Sequence, residues 1–455
     1  FHVSGGKFTY WDNSVSAISS GTAAVYGGFY GKIEGNQTSF KLDASEYNPY
    51  TIGNTHITAK TINGSDIYFA DSNLNTIYIR NVNFTPAEGT TATSGGAIYA
   101  TNLKSMELNN VTFNGYNVSA NGGTIYAGGS GEIIVTGEGV KITNSGSTNG
   151  SGGGIYTSGK LTVDAGATLE LTNIHNGYSG GAIFTNGTLT VDGSLLISHI
   201  KTENTFTNNS THGGGAIRSG ALILSSAGLI DISNITVDVE ISAKNVDVVY
   251  QGAAIYAGDA ATLEGTLNIR DVRATLTDVS QSSANAIKII GGTIYFYRNV
   301  TATNATINVT GGRFTVDSTN AVKRRADFLG HFVFNGGTNV FTDCNISITD
   351  NTVTLKGGAG GAESQAQIFF HFYGSNKVET FSGGSLLIRN NHMTMDTVGV
   401  NNCFGNIVGG YADVVNFRLT MQGEINEDGT YSYVIENNSI KGIFIIFSQQ
   451  NSFFR

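Results

Sequence analysis

Gly180-Gly181-Ala182-Ile183-Phe184-Thr185-Asn186-Gly187-Thr188-Leu189-Thr190-Val191-Asp192 is the stretch whose reading decides the fold. Small residues open it, an isoleucine and an aromatic follow, and after an Asn-Gly turn a short alternating run ends on an aspartate. The opening recurs at Gly96-Ala97-Ile98-Tyr99, Gly123-Thr124-Ile125-Tyr126, Gly153-Gly154-Ile155-Tyr156, Gly215-Ala216-Ile217-Arg218, Ala253-Ala254-Ile255-Tyr256 and Gly292-Thr293-Ile294-Tyr295. Its isoleucines stand 27, 30, 28, 34, 38 and 39 residues apart, a period that belongs to repeat architectures and not to a globular enzyme core.

A second column keeps step with the first. Asn81, Asn110, Asn144, Asn173, His199, Asn234 and Asp271 each follow an apolar residue by two places, as in Leu171-Thr172-Asn173-Ile174. Between the columns lies a third run, clearest at Lys160–Asp164 and Thr188–Asp192. Each repeat therefore reads as three short strands joined by Gly, Asn and Ser turns. Such a unit cannot bury its own apolar row, so successive units stack. Each strand then pairs in parallel with its equivalent one repeat away, at about 4.8 Å. The predicted fold is all-β, a right-handed parallel β-helix with capping ends. The asparagine column is expected to point inward as a structural ladder, its amides bonding one repeat to the next.

Composition agrees. There are 61 glycines and 2 prolines among 455 residues, which suits many tight turns and few ladder positions lacking an N–H. The predicted divisions are irregular capping repeats over 1–60, regular repeats over 61–310, a continuation with an aromatic core over 311–430, and a terminal strand, cap or assembly tail over 431–455. Long insertions fall at one turn only, Lys201 to Gly213 and Thr236 to Gly252, and corner loops of that kind form binding faces in repeat proteins. In the tail, Gly442 to Phe447 is an apolar run long enough for one strand and too short to span a bilayer.

A net charge of −9 with 13% charged residues supplies no basic stripe for phosphates and excludes nucleic acid as a partner. The run Lys323-Arg324-Arg325 reads as a solvated turn. Cys344 and Cys403 are a candidate disulfide whose pairing the sequence does not decide. Fifteen Asn-x-Ser/Thr acceptor sequences are present, among them Asn36, Asn83, Asn110, Asn186, Asn234 and Asn308; those in the asparagine column are expected to be blocked by inward orientation.

For chemistry, Asp164 and Asp192 are 28 residues apart at matching repeat positions and form a candidate acid pair. The alternatives are turn capping, a calcium site or a glycosidase pair, with capping the preferred reading. His175 and His199 lie in adjacent repeats with no third ligand in register, so neither a metal nor a cofactor is expected. Strand alternation places the isoleucines inside and the next residue outside. Tyr99, Tyr126, Tyr156, Phe184, Arg218, Tyr256 and Tyr295 then form an outward ladder, serving mutual stacking, glycan binding or lateral packing.

The Gly-Gly-Ala-Ile-Tyr repeats resemble those of the chlamydial polymorphic outer-membrane proteins, which carry Gly-Gly-Ala-(Ile/Leu/Val) and Phe-x-x-Asn motifs. The stretch from Gly180 to Asp192 is equally similar to the adhesin-like β-helix proteins of methanogens. The resemblance spans roughly residues 94 to 300, and Phe-x-x-Asn occurs in the family's place only at Phe206-Thr207-Asn208-Asn209. It implies an extracellular β-helix acting in adhesion or as a surface coat. The expected protein is non-enzymatic, sits at the cell surface and meets other copies of itself or host and cell-surface glycans. A β-helix polysaccharide lyase or glycoside hydrolase is the alternative.

Overall fold

The structure is a computed structural model that describes residues 25–26, 29–30, 39–43, 50–52, 67–69, 76–86, 92–208, 210–242, 247–279, 287–319, 325–357, 364–372, 378–397, 403–410, 418–422 and 432–441. The expected tail strand from Gly442, and Lys323 and Arg324 of the basic run, lie outside the described residues. So does most of the expected amino-terminal cap. The fold is all-β with long parallel sheets, and no helix occurs among the described residues. No helix there is long and apolar enough to cross a membrane. The chain divides into two units, Phe1–Ile200 and Lys201–Arg455.

In the first unit the repeat signature is a three-residue strand that pairs in register with its own next copy: Ile98 with Ile125, Ile125 with Ile155, Ile155 with Ile183. Ile67 pairs with Ile98 in the same way, an earlier copy hidden in the sequence because Ser65-Asp66 stands where the next copy has Gly96-Ala97. The other strands behave alike, as Leu161–Val163 on Leu189–Val191 and Val140–Thr143 on Leu169–Thr172. In the second unit the column runs Ile217, Ile255, Ile294, Phe332 and Phe370. The expected aromatic continuation past 310 is thus the same strand with phenylalanine in the isoleucine place. Ile98, Ile125, Ile155, Ile183, Ile217, Ile255 and Ile294 are fully buried, and a row of completely enclosed Ile and Phe side chains is the main apolar contribution to stability.

The signature strands that begin at Ile98, Ile125, Ile155, Ile183, Ile217, Ile255 and Ile294 are each preceded by a left-handed glycine. At Gly152, with φ +67°, an added Cβ would meet the Ile155 carbonyl oxygen at 2.2 Å. No L side chain fits there, and the tightness of this bend explains why the glycine recurs.

The asparagine column corrects an expectation. Asn110, Asn144, Asn173, His199, Asn234 and Asp271 have φ between +52° and +62°; Asn110 is half-exposed and the other five are exposed. They are left-handed corners pointing outward, the conformation that short polar side chains tolerate best. Such a corner resets strand parity, so the residues two before and one after it both face inward: Leu171 and Ile174 are buried on either side of exposed Asn173. Asn81 lies in the same column by register. A surface ladder does exist, since Asn173 donates to Asn144 at 2.9 Å and Asn144 to Asn114 at 2.8 Å.

An inward amide ladder is present elsewhere, one residue past the corner in the second unit. Register there aligns Asp271, Gly311, Asp350, Asn390 and Asn437 as corners. The next residues include Asn351, Asn391 and Asn438. Asn351 donates to Asn391 at 2.8 Å and Asn391 to Asn438 at 2.9 Å. The same amides bind the Val309, Ile348 and Ile388 carbonyls, so buried backbone and side-chain groups satisfy one another where the chain bends.

The insertions at Lys201 to Gly213 and Thr236 to Gly252 are also corrected. They are largely strand, not loop: Ser210–Gly213 pairs with Val248–Gln251, which pairs with Ile287–Gly291, which pairs with Arg325–Leu329. Val237, Val239, Ile241, Val248 and Tyr250 are buried along them.

Candidate functional site

The outward ladder differs between the units. In the first, Tyr99, Tyr126, Tyr156 and Phe184 are half-exposed, held outward by the alternation around buried Ile98, Ile125, Ile155 and Ile183. Successive ring centroids are 4.9, 5.2 and 4.9 Å apart with interplanar angles of 11°, 4° and 7°. Both faces of the Tyr126 and Tyr156 rings are therefore covered by neighbouring rings. A sugar stacked on those faces, the contact expected for a glycan, is excluded at these two residues. What they present outward is ring edges and phenol hydroxyls, repeated at strand spacing. Partial burial, then the neighbouring Tyr156 and Tyr99, raise the Tyr126 phenol above its ordinary pKa, which keeps its proton and leaves the hydroxyl able to donate and accept.

In the second unit Arg218 and Tyr256 are again half-exposed, and the column becomes covered at Tyr295. The Arg218 guanidinium sits 4.6 Å from the centre of the Tyr256 ring, a cation–π contact, and Tyr256 stacks on Tyr295 at 5.6 Å. Tyr295 is 2% exposed, packed with Ile289, Leu329 and Val333, and Val249 and Tyr256 pack against that cluster. Tyr295 is therefore a correction: it belongs to a core and not to an open face. The covering residues Val249, Ile289 and Leu329 come from the inserted strands. Desolvation lowers the pKa of His212 to about 4, with Arg218 adding to it. The His212 ring stacks on Phe206 at 4.4 Å.

Asp164 and Asp192 lie in adjacent repeats. The expected carboxylate cap is absent: the Ala167 N–H closes the turn on the Asp164 carbonyl at 3.0 Å. Neither carboxylate bonds to its turn among the described residues. Burial, followed by Asp192, Glu107 and Glu132, raises the Asp164 pKa, so four acids share this outer face. No group of three or more His, Cys, Asp or Glu side chains among the described residues is placed to hold a metal ion.

Cys344 is a buried free thiol donating to the Thr342 carbonyl at 3.3 Å, which corrects the candidate disulfide with Cys403. The Cys403 backbone sits on a different sheet, paired with Ser364. His175 is exposed, and its ring overlies Gly146, where a Cβ would lie 2.3 Å from ring atoms. This gives His175 a packing role the sequence did not disclose.

No protein-family model, no curated protein and no solved structure matches the chain.

Proposed function

We propose that the chain is an extracellular structural and adhesive protein whose units wind as right-handed parallel β-helices. The ladder and corners are displayed for surface attachment or for assembly into a surface layer, sheath or filament. Its partners are other copies of itself or host and cell-surface glycans, and it is not an enzyme. The observation that carries this reading is the half-exposed stack of Tyr99, Tyr126, Tyr156 and Phe184. A regular row of immobilised rings is an apolar feature with a built-in repeat, and soluble surfaces seldom leave such rows uncovered. Support for the winding is the in-register parallel pairing of every signature strand with a copy 27 to 39 residues away, which parallel strands achieve only through a crossover.

Given the covered ring faces, contact runs through edges and hydroxyls, a geometry suited to an equally spaced row on a second copy or to sugar hydroxyls. The test is attachment and assembly of the Tyr126→Ser, Tyr156→Ser double variant, followed by negative-stain imaging and cell binding. Loss of filaments, sheets or binding with an unchanged circular dichroism spectrum is expected. Retention of both would move the contact face elsewhere.

The acids around Asp164 favour one second reading, a polysaccharide-cleaving enzyme. A raised carboxyl beside another acid is the arrangement such catalysis uses. Oligosaccharide release from pectin, alginate or host glycans that is abolished by Asp164→Asn in a folded protein would establish it.

A further inference from the structure

We infer that the exposed left-handed corners are acceptor sites for N-linked oligosaccharides, at Asn110, Asn234, Asn304 and Asn437. This rests on the extracellular reading and goes beyond it.

Seven asparagines among the described residues have left-handed backbone, and four of them, those just named, begin an Asn-x-Ser/Thr sequence. The corner itself needs only the asparagine. Asn144, Asn173 and Asn390 occupy equivalent bends with Gly146, His175 and His392 two residues on, so the hydroxyl residue is not a requirement of the fold.

The geometry presents both groups together. φ is +53° to +55° at all four, and the side chains of Asn234, Asn304 and Asn437 are exposed, that of Asn110 half-exposed. At the first three corners the middle residue, Val111, Ile235 or Ala305, is buried. The hydroxyl residue two places on, Thr112, Thr236, Thr306 or Ser439, is half-exposed or exposed. Amide and hydroxyl thus both belong to the solvent-accessible side of a bend.

The rest of the chain sorts the same way. The buried asparagines Asn176, Asn339, Asn351 and Asn391 are followed two places on by Tyr178, Phe341, Val353 and Met393, and none is an acceptor. Twelve of the fifteen acceptor asparagines have described side chains, and none of the twelve is buried. Among the described residues no acceptor asparagine lies in a core, while exposed corners carry them.

The reaction needs a lipid pyrophosphate-linked oligosaccharide as co-substrate. The asparagine Nδ2 attacks the anomeric carbon, the new C–N bond replaces the C–O bond to pyrophosphate, the lipid pyrophosphate leaves, and the amide loses one proton.

The full chain purified from cells that make it, digested with peptide N-glycosidase F in heavy-oxygen water, tests the inference by peptide mass spectrometry. Asparagine should convert to heavy-oxygen-labelled aspartate at the four corners. A second arm uses the chain secreted from a eukaryotic line. Thr112→Val should remove the label at Asn110 alone, Thr112→Ser should keep it, and neither disturbs the corner residue. An exported, folded chain with all four asparagines unmodified overturns this inference and leaves the extracellular reading standing. A chain retained in the cytosol of its source overturns both.

Discussion

The outward column is the same device in both units and ends in opposite environments. In the first unit the rings of Tyr99, Tyr126, Tyr156 and Phe184 stay half-exposed. In the second unit the repeat is longer, with Ile217, Ile255, Ile294 and Phe332 spaced by 38, 39 and 38 residues. The added residues form strands whose Ile289 and Leu329 close over Tyr295, while Val249 and half-exposed Tyr256 pack against that cluster. Some ten residues per repeat convert a display surface into a second core. The lesson is that an outward position on a strand is not an exposed one, because exposure depends on what the neighbouring insertion brings.

The largest expected effect tests how closed that second unit is. His331 is 1% exposed, its Nδ1 lies 2.8 Å from the Thr293 hydroxyl, and Phe314 and Phe328 meet its ring edge-on. Burial pushes its pKa down to about 3 from 6.5. The folded state thus prefers neutral imidazole. The stability this confers is fully present above pH 6.5 and is lost as pH falls towards 3, reaching roughly 4–5 kcal/mol. Hydrogen exchange of the full chain between pH 7 and 3 should show the second unit opening first, with His331→Phe reducing the difference and His212 supplying part of what is left. An equal acid response from both units would break the comparison.

Next is the ladder itself. Tyr295→Ala removes a ring from a closed cluster and should cost about 4 kcal/mol, read as a lowered denaturation midpoint. Tyr126→Ala loses mainly stacking, about 1 kcal/mol. Similar costs at the two sites would mean that the first ladder is covered as well.

The amide ladders give a smaller contrast. Asn391→Leu leaves the Asn351 amide and the Ile348 carbonyl without their partner in a buried site, for about 2–3 kcal/mol. Asn173 is an exposed corner, so Asn173→Gly should be nearly neutral. Asn173→Leu should cost about 1 kcal/mol, mainly from left-handed backbone strain, with the exposed bond to Asn144 adding little. A neutral Asn391→Leu would remove the inner ladder from the account of stability.

Much of this was legible beforehand. Strand identity, parallel pairing and the inward isoleucines follow from spacing, because an in-register stack preserves the repeat residue by residue. The orientation of Asn173 did not follow, because alternation was carried through a residue whose positive φ breaks it. The signal was present: Leu171 and Ile174 are three apart, which no continuous strand buries on one side. The ladder of Asn351, Asn391 and Asn438 was missed because the Ile-Tyr signature had ended, although corner Asp, Asn and Gly residues continue at the same period. The covering of Tyr295 was not legible, since a polar-looking insertion carried the apolar strands that close over it.

The smallest expected change in stability carries the most information about function. Tyr126→Phe with Tyr156→Phe keeps both rings, their stacking at 5.2 Å and the buried isoleucines beside them, and removes only two hydroxyls. Because those hydroxyls lie on the half-exposed side, unfolding should shift by less than about 0.5 kcal/mol, within the range of ordinary surface substitutions. If the open ladder makes contact through its hydroxyl row, attachment or lateral assembly should weaken several-fold in this variant, measured by cell binding and by imaging of assembled material. If contact is through apolar ring edges, the Phe pair should bind as the parent does, while the Ser pair loses binding. The two double variants together separate a hydrogen-bonded contact from an apolar one. A parent-like result from both would leave the stack a stabilising feature only, and the first unit would then differ from the second in exposure but not in role.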